Sequence, residues 1–214
     1  YGQKALVFAV RHPRPHGGVS TEIHREGGPF TLVPMPDRDG WHMSSVVWME
    51  RSADAARLAG LADDAFEAML NARSLDVLGH IEVVGRKAMW PIIGQLSERM
   101  AGNRVALMAE AVHVIPPIGA QGLNMSLADL EDLSERLVAA RDRGADIGSP
   151  AVLEGFQRRR WPETAARVAG VDALNRAALA SWQPLRDLRR VGLAAVHTLP
   201  FARRMAMKIG MGAG

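Results

Sequence analysis

The chain has 214 residues, 48% of them apolar and 23% charged, close to the globular average, which excludes disorder, collagen-like repeats and coiled coils. It holds no cysteine, so a disulfide scaffold, thiolate metal centres and cysteine nucleophiles are excluded. The formal net charge is only +3 and aromatics make up 5%, without the basic stripe and interleaved aromatics of a nucleic-acid binder.

Residues 3–12 (QKALVFAVRH) form an apolar run ending in a polar pair and predict a strand. His12-Pro13-Arg14-Pro15-His16-Gly17-Gly18 is a turn cluster. Residues 20–26 set Thr21, Ile23 and Arg25 against Glu22, His24 and Glu26, a two-sided strand near a sheet edge. After Gly27-Gly28-Pro29, strands are predicted at 30–35 and 41–50, separated by a loop at 37–40. Hairpin-scale spacing of this kind argues for an antiparallel sheet. Alternation would let Phe30, Met35 and Trp48 line an aromatic pocket, although core positions are the simpler reading. His12, His16, His24 and His42 lie on separate strands and turns, and could act as ligands only if the sheet gathers them.

Residues 52–73 change to a helical period, with Ser52 as N-cap and a stripe of Leu58, Leu61, Ala65, Phe66, Met69 and Leu70. A strand is predicted at 80–90 and a compact buried strand at 103–109 (NRVALMA). After a Pro/Gly-rich loop at 114–122, a helix runs over 123–142. Its core stripe is Leu123, Leu127, Leu130, Leu133, Leu137 and Val138, its early acids are Asp129, Glu131 and Asp132, and Gly144 stops it. Residues 150–214 read as helical, with breaks at Pro184 and Pro200. No internal repeat or low-complexity tract is present.

The segment 105–130 (VALMAEAVHVIPPIGAQGLNMSLADL) carries the chemistry. A strand ends at a carboxylate, Glu110, and a loop with Pro116, Pro117, Gly119 and Gly122 enters a helix. Glycines there let backbone N–H groups approach a ligand closely. The helix N-terminus adds unpaired donors and partial positive charge, suited to an anion or an oxygen gaining negative charge.

Ala109-Glu110-Ala111-Val112-His113, Pro116-Pro117 and Gly119-Ala120-Gln121-Gly122-Leu123-Asn124 resemble the second FAD-binding motif of the flavoprotein aromatic hydroxylases built like para-hydroxybenzoate hydroxylase. The ubiquinone-biosynthesis hydroxylases are the family most resembled. Residues 1–9 with Pro15-His16, Gly28-Pro29-Phe30 with Leu32 and Pro34, and Val46-Val47-Trp48 resemble the substrate-domain sheet of that family. Asp146-Ile147-Gly148 and the Arg-rich stretch 156–160 resemble its C-terminal part.

The resemblance implies that Glu110 accepts a hydrogen bond from the ribityl chain of FAD. Pro116 would flank the flavin ring, Gly119 and Gly122 would let the chain pass the ring closely, and the Leu123 and Asn124 N–H groups would bond its pyrimidine oxygen. His113 is read as structural. No catalytic side chain and no metal ligand is singled out. The family uses NAD(P)H as reductant and transfers one oxygen atom from O2 to an electron-rich ring, chemistry that belongs to the cofactor. Two departures stand out. Ala109-Glu110 replaces Gly-Asp, and the Gly-x-Gly-x-x-Gly unit that binds the ADP part of FAD is missing, as Gly210-Met211-Gly212-Ala213-Gly214 has no helix after it.

The expected fold is α+β, a partial α/β fold. A substrate-binding sheet domain would occupy 1–100, the strand–loop–helix of the second FAD motif 101–148 and C-terminal helices 149–214, with the N-terminal Rossmann half absent. The opening Tyr1-Gly2-Gln3-Lys4 has neither an initiator Met nor a leader, so the chain reads as part of something longer with an incomplete FAD site. The resemblance implies a portion of a monooxygenase acting on a phenolic or polyprenyl-phenol substrate in ubiquinone biosynthesis. Such a chain would be cytoplasmic or peripheral on the inner membrane, within a homo-oligomer or a biosynthetic complex, with no nucleic-acid partner. The basic and apolar stretch from Leu185 to Lys208 can be read as a membrane-surface element or as helices closing the core. The alternative function is a non-catalytic relative that binds a phenolic lipid or a membrane surface.

Overall fold

The structure, a computed structural model, describes residues 1–25, 27–179 and 204. They fall into two units, the first Tyr1–Ile92 and the second from Ile93 onward.

The first unit carries β1 (Gln3–His12), β2 (Thr21–Arg25), β3 (Gly28–Arg38), β4 (Trp41–Arg51), α1 (Ser52–Ala59), α2 (Asp63–Ser74) and β5 (Glu82–Pro91). The strands form one antiparallel sheet in the order β2-β3-β4-β1-β5. Residues 20–26 were expected near an edge, and β2 is an edge strand. Register places Leu6 opposite Trp48, Phe8 opposite Val46 and Phe30 opposite Trp48. Side chains alternate across a strand, so Leu6, Phe8, Val10, Phe30, Leu32, Val46 and Trp48 share one face, and they join Leu58, Phe66, Leu70 and Ile81 in one core. Phe30 and Trp48 are therefore core residues. Their ring centroids lie 5.6 Å apart, edge to face. Met35 pairs with Met43 and falls on the other face by alternation.

The single helix expected over 52–73 is two. Gly60 closes α1, its N–H donating to the carbonyls of Ala56 and Arg57, and Ala62 opens α2 in extended geometry. A helix running through Gly60 would cost about 1 kcal/mol relative to alanine. Arg51, not Ser52, is the N-cap of α1. Of the predicted stripe, Ala65 and Met69 are exposed, while Leu58, Phe66 and Leu70 are buried. Gly28 is a position where glycine is required. Its φ is +147° and a Cβ there would lie 2.9 Å from the Met49 carbonyl.

The second unit carries β6 (Gln95–Leu96), β7 (Ala101–Gly102), β8 (Val105–Ala106), a 3-10 turn (Ala109–Ala111), β9 (His113–Val114), α3 (Gln121–Asp142) and α4 (Pro150–Leu179). β6 pairs with β9 and β7 with β8, both antiparallel. Met100, Val112 and Phe156 form its core, with Leu96, Ala106, Leu133 and Trp161 against them. The buried strand expected over 103–109 is instead a tight hairpin. Arg104 turns the chain in left-handed geometry, and Val105 and Leu107 are exposed. As the glycine at 144 predicts, α3 ends there. Gly144 has φ +66°, its N–H donates to Arg141, and the Ala145 N–H reaches back to Ala140 at 2.9 Å, a Schellman closure.

The stripe expected to bury α3 does so only in part: Leu133 packs against the core. Leu123, Leu127 and Leu130 are 70%, 53% and 49% exposed, whereas Met125, Asp129 and Ala140 are buried. The inward face carries the carboxylate of Asp129 beside Met125, which an apolar periodicity does not register. The breaks expected at Pro184 and Pro200, the tail 210–214 and the basic-apolar stretch lie outside the described residues, apart from Arg204. Among the described residues no helix is long and apolar enough to cross a membrane.

Candidate functional site

The segment between β8 and α3 is built from unusual backbone geometry. Ala109 has φ +55°, a strained conformation for a non-glycine residue. It starts the 3-10 turn that carries Glu110, whose side chain is solvent-facing. After β9, Pro116 is buried and its carbonyl accepts the Ile118 N–H at 2.8 Å. Gly119 (φ +67°) and Ala120 (φ +51°) are two successive left-handed residues that swing the chain into α3.

Ala120 is the N-cap, and no side chain caps the helix. The N–H groups of a first turn have no partner within the helix. A Cβ on Gly122 would meet nothing within 4 Å, and one on Gly119 only the end of Gln121 at 3.9 Å. Glycines with open space beside a helix start fit the polar edge of an anionic ligand. The structure thus brings Gly119, Gly122, Leu123 and Asn124 to the start of α3, with Pro116 buried in the loop before it. The Glu110 turn packs against α3.

Behind this surface lies a buried ionic network. Asp129, fully buried on α3, accepts from His113 Nε2 (2.9 Å) and the Ala109 N–H (3.4 Å) on Oδ2, and from Arg160 Nε (2.9 Å) on Oδ1. Arg160, itself buried on α4, also donates from Nη1 to Glu163 (2.6 Å) and from Nη2 to the Met125 carbonyl (3.5 Å). Burial alone would raise the Asp129 carboxyl. The hydrogen bonds from His113 and Arg160, the Arg160 charge and the Ala109 N–H outweigh it and hold the group below the ordinary carboxylate value. Facing a carboxylate, His113 Nε2 carries the proton. His113 was read as structural, and it has a buried structural contact. Asp129 was read as a carboxylate favoured near a helix start, and its role in the network was missed. A clue was available: Asp129 lies four residues after Met125 on one helix face.

The sheet of the first unit does gather three of the four histidines. The rings of His12, His16 and His42 lie 6.0–6.4 Å apart. Five of their six ring nitrogens have hydrogen-bond partners. His12 bonds the Arg14 carbonyl (2.8 Å) and Ser44 Oγ (2.9 Å), His16 bonds the Met35 carbonyl and the Gly18 N–H, and His42 bonds Asp37. His24 stands apart, paired with Glu22 at 2.7 Å. Among the described residues no group of three or more His, Asp or Glu is arranged to hold a metal.

A family described as an FAD binding domain matches residues 4–169. The chain is 37% identical over 212 residues to a protein of Rhodospirillum rubrum named ubiquinone hydroxylase UbiL, covering 99% of this chain and 48% of that one. It is 26% identical to the 3-demethoxyubiquinol 3-hydroxylase of Escherichia coli, covering 99% and 53%. Among solved structures, the p-nitrophenol 4-monooxygenase of Pseudomonas putida superposes with a TM-score of 0.73 at 17% identity, over 100% of this chain and 54% of that one. That last likeness is one of fold. The chain spans about half the length of the curated relatives it matches.

Proposed function

The chain belongs to the FAD-binding-domain family, and from that premise we propose that it forms part of a flavin-dependent monooxygenase that hydroxylates a phenolic ring in ubiquinone biosynthesis. The names of the relatives support the pathway. The observation that carries the cofactor assignment is the uncapped start of α3, entered through left-handed Gly119 and Ala120, with open space at Gly122.

In this reading the first-turn N–H groups around Leu123 and Asn124 face the pyrimidine oxygen of the flavin, where the helix end favours negative charge. Such an end contributes about 0.3–1 kcal/mol when exposed and up to ~2 kcal/mol when partly buried. Glu110 accepts from the ribityl hydroxyls, and Pro116 supports the chain beside the ring. Bound FAD supplies the redox chemistry, drawing reducing equivalents from NAD(P)H and activating O2. The protein orients the ring to be hydroxylated and excludes water. The chain spans about half the length of its relatives, and in this reading it binds FAD weakly on its own.

Titration of FAD with the 214-residue chain, followed by flavin fluorescence, tests the assignment. Weak, saturable quenching that disappears in G122V, whose side chain enters the open space, is expected. No saturable quenching, or equal quenching in G122V, refutes the site. The membrane-surface reading of the stretch from Leu185 to Lys208 is a separate proposal. It predicts co-sedimentation with anionic vesicles that is lost at high salt.

A further inference from the structure

We propose that Asp129 is a positioning residue for the flavin-facing turn: one buried carboxylate pins both ends of the segment that carries Glu110 and ties it to α3. The inference rests on the flavin reading above for its functional meaning, and on geometry for its structural content.

The segment Ala109–His113 leaves β8 and returns to β9. Its first residue donates its N–H, and its last donates Nε2, to the same oxygen, Oδ2 of Asp129. Glu110 lies between these two anchors. The other oxygen, Oδ1, is held by Arg160 Nε, so the carboxylate cannot rotate without breaking a charge-assisted bond. Asp129 lies on the same helix as the first-turn N–H groups. Its position therefore fixes the turn bearing Glu110 relative to the helix start, the two parts that would grip one cofactor. The left-handed Ala109 fits this role. Strained backbone persists where its surroundings over-determine it, and here its own N–H is one of the anchors.

A purely structural ion pair would make a different prediction. Its loss would loosen α3 and α4 along with the turn, and a neutral donor at position 113 would have no special value.

The test uses the 214-residue chain with D129N, H113L, H113Q and, as a control on the same helix, D132N, whose carboxylate pairs with Arg136 at 2.6 Å. Two readouts are taken: amide hydrogen exchange across 109–113, and FAD affinity by fluorescence quenching. In D129N and H113L, exchange in 109–113 should rise about tenfold or more, as for local opening of a released segment. FAD affinity should fall in parallel, while the rest of α3 keeps its protection. H113Q, which retains an N–H donor, should stay near the parent, and D132N should change neither readout. Should D129N fail to fold, the contrast between H113L and H113Q decides the matter. The proposal is overturned if exchange rises equally over α3 and α4, if H113L matches the parent, or if H113Q is no better than H113L. It is also overturned if the turn loosens while a measurable FAD affinity stays unchanged. If the parent chain gives no FAD quenching, the flavin reading fails, and the exchange contrast still decides whether Asp129 pins the turn.

Discussion

His12 makes the stability of the first unit fall on mild acidification. The side chain is fully buried. Its Nδ1 faces a carbonyl, so that nitrogen donates, and Nε2 accepts from Ser44 Oγ. Burial lowers its pKa below the ordinary 6.5. The Arg14 carbonyl opposes this shift, the His16 and His42 rings add to it, and Asp37 opposes it. Above about pH 6.5 neither the folded nor the unfolded chain carries the proton, and the neutral ring contributes its full stability. As pH falls below that value the unfolded chain takes up the proton first, and stability drops by up to about 1.4 kcal/mol per pH unit until the lowered folded pKa is reached. H12N keeps an N–H donor near Nδ1, loses the Ser44 bond at a cost of about 0.5–1.5 kcal/mol, and cannot titrate. Urea unfolding followed by tryptophan fluorescence should show H12N less stable than the parent at pH 7.5. The gap should narrow as pH falls from about 6.5 toward 5.5. Parallel pH profiles for the two proteins would show that burial does not disfavour the charged ring.

Phe66 lies 5.4 Å from Phe8 and 6.0 Å from Trp48, ring to ring, with Lys87 Nζ 4.3 Å from its centroid. F66A should cost about 3–5 kcal/mol in urea unfolding, and a loss below ~1 kcal/mol would contradict its place in the core. The leucines on the outer face of α3 should behave in the opposite way. L123Q, L127Q and L130Q should each change stability by no more than about 0.5 kcal/mol in the same assay, and a loss of ~2 kcal/mol or more would mean the residue is packed inside.

The sheet was legible because its strands obey a period of two and are separated by glycine and proline turns. Leu6, Phe8 and Val10 alternate with Val7 and Ala9, and pairing to β4 leaves the first set facing the helices. In the motif segment the loop and the helix after it were legible because glycines and prolines have few backbone options, whereas the strand expected before them is a hairpin. Three features were not legible. The division of 52–73 depends on Gly60, which a helical stripe tolerates on paper. The hairpin at 101–106 depends on Arg104 taking a left-handed conformation that its residue type does not announce. The gathering of His12, His16 and His42 depends on strand register, which brings His12 opposite His42 and has no local signature.

A fourth difference lies in α3, where Leu123, Leu127 and Leu130 face outward and Asp129 inward. A helix buries its apolar stripe when that is the best use of its neighbours. Here the neighbours are His113 and Arg160, and a carboxylate that meets both can be buried because its lone pairs are filled and a positive charge stands beside it. Its Oδ2 takes His113 and the Ala109 N–H while its Oδ1 takes Arg160, so each partner ties a different segment of the second unit to α3. Leu123, Leu127 and Leu130 face outward on the same helix. In the proposal made above, the turn that bears Glu110 is held by this polar contact, through a carboxylate that does not itself meet the cofactor.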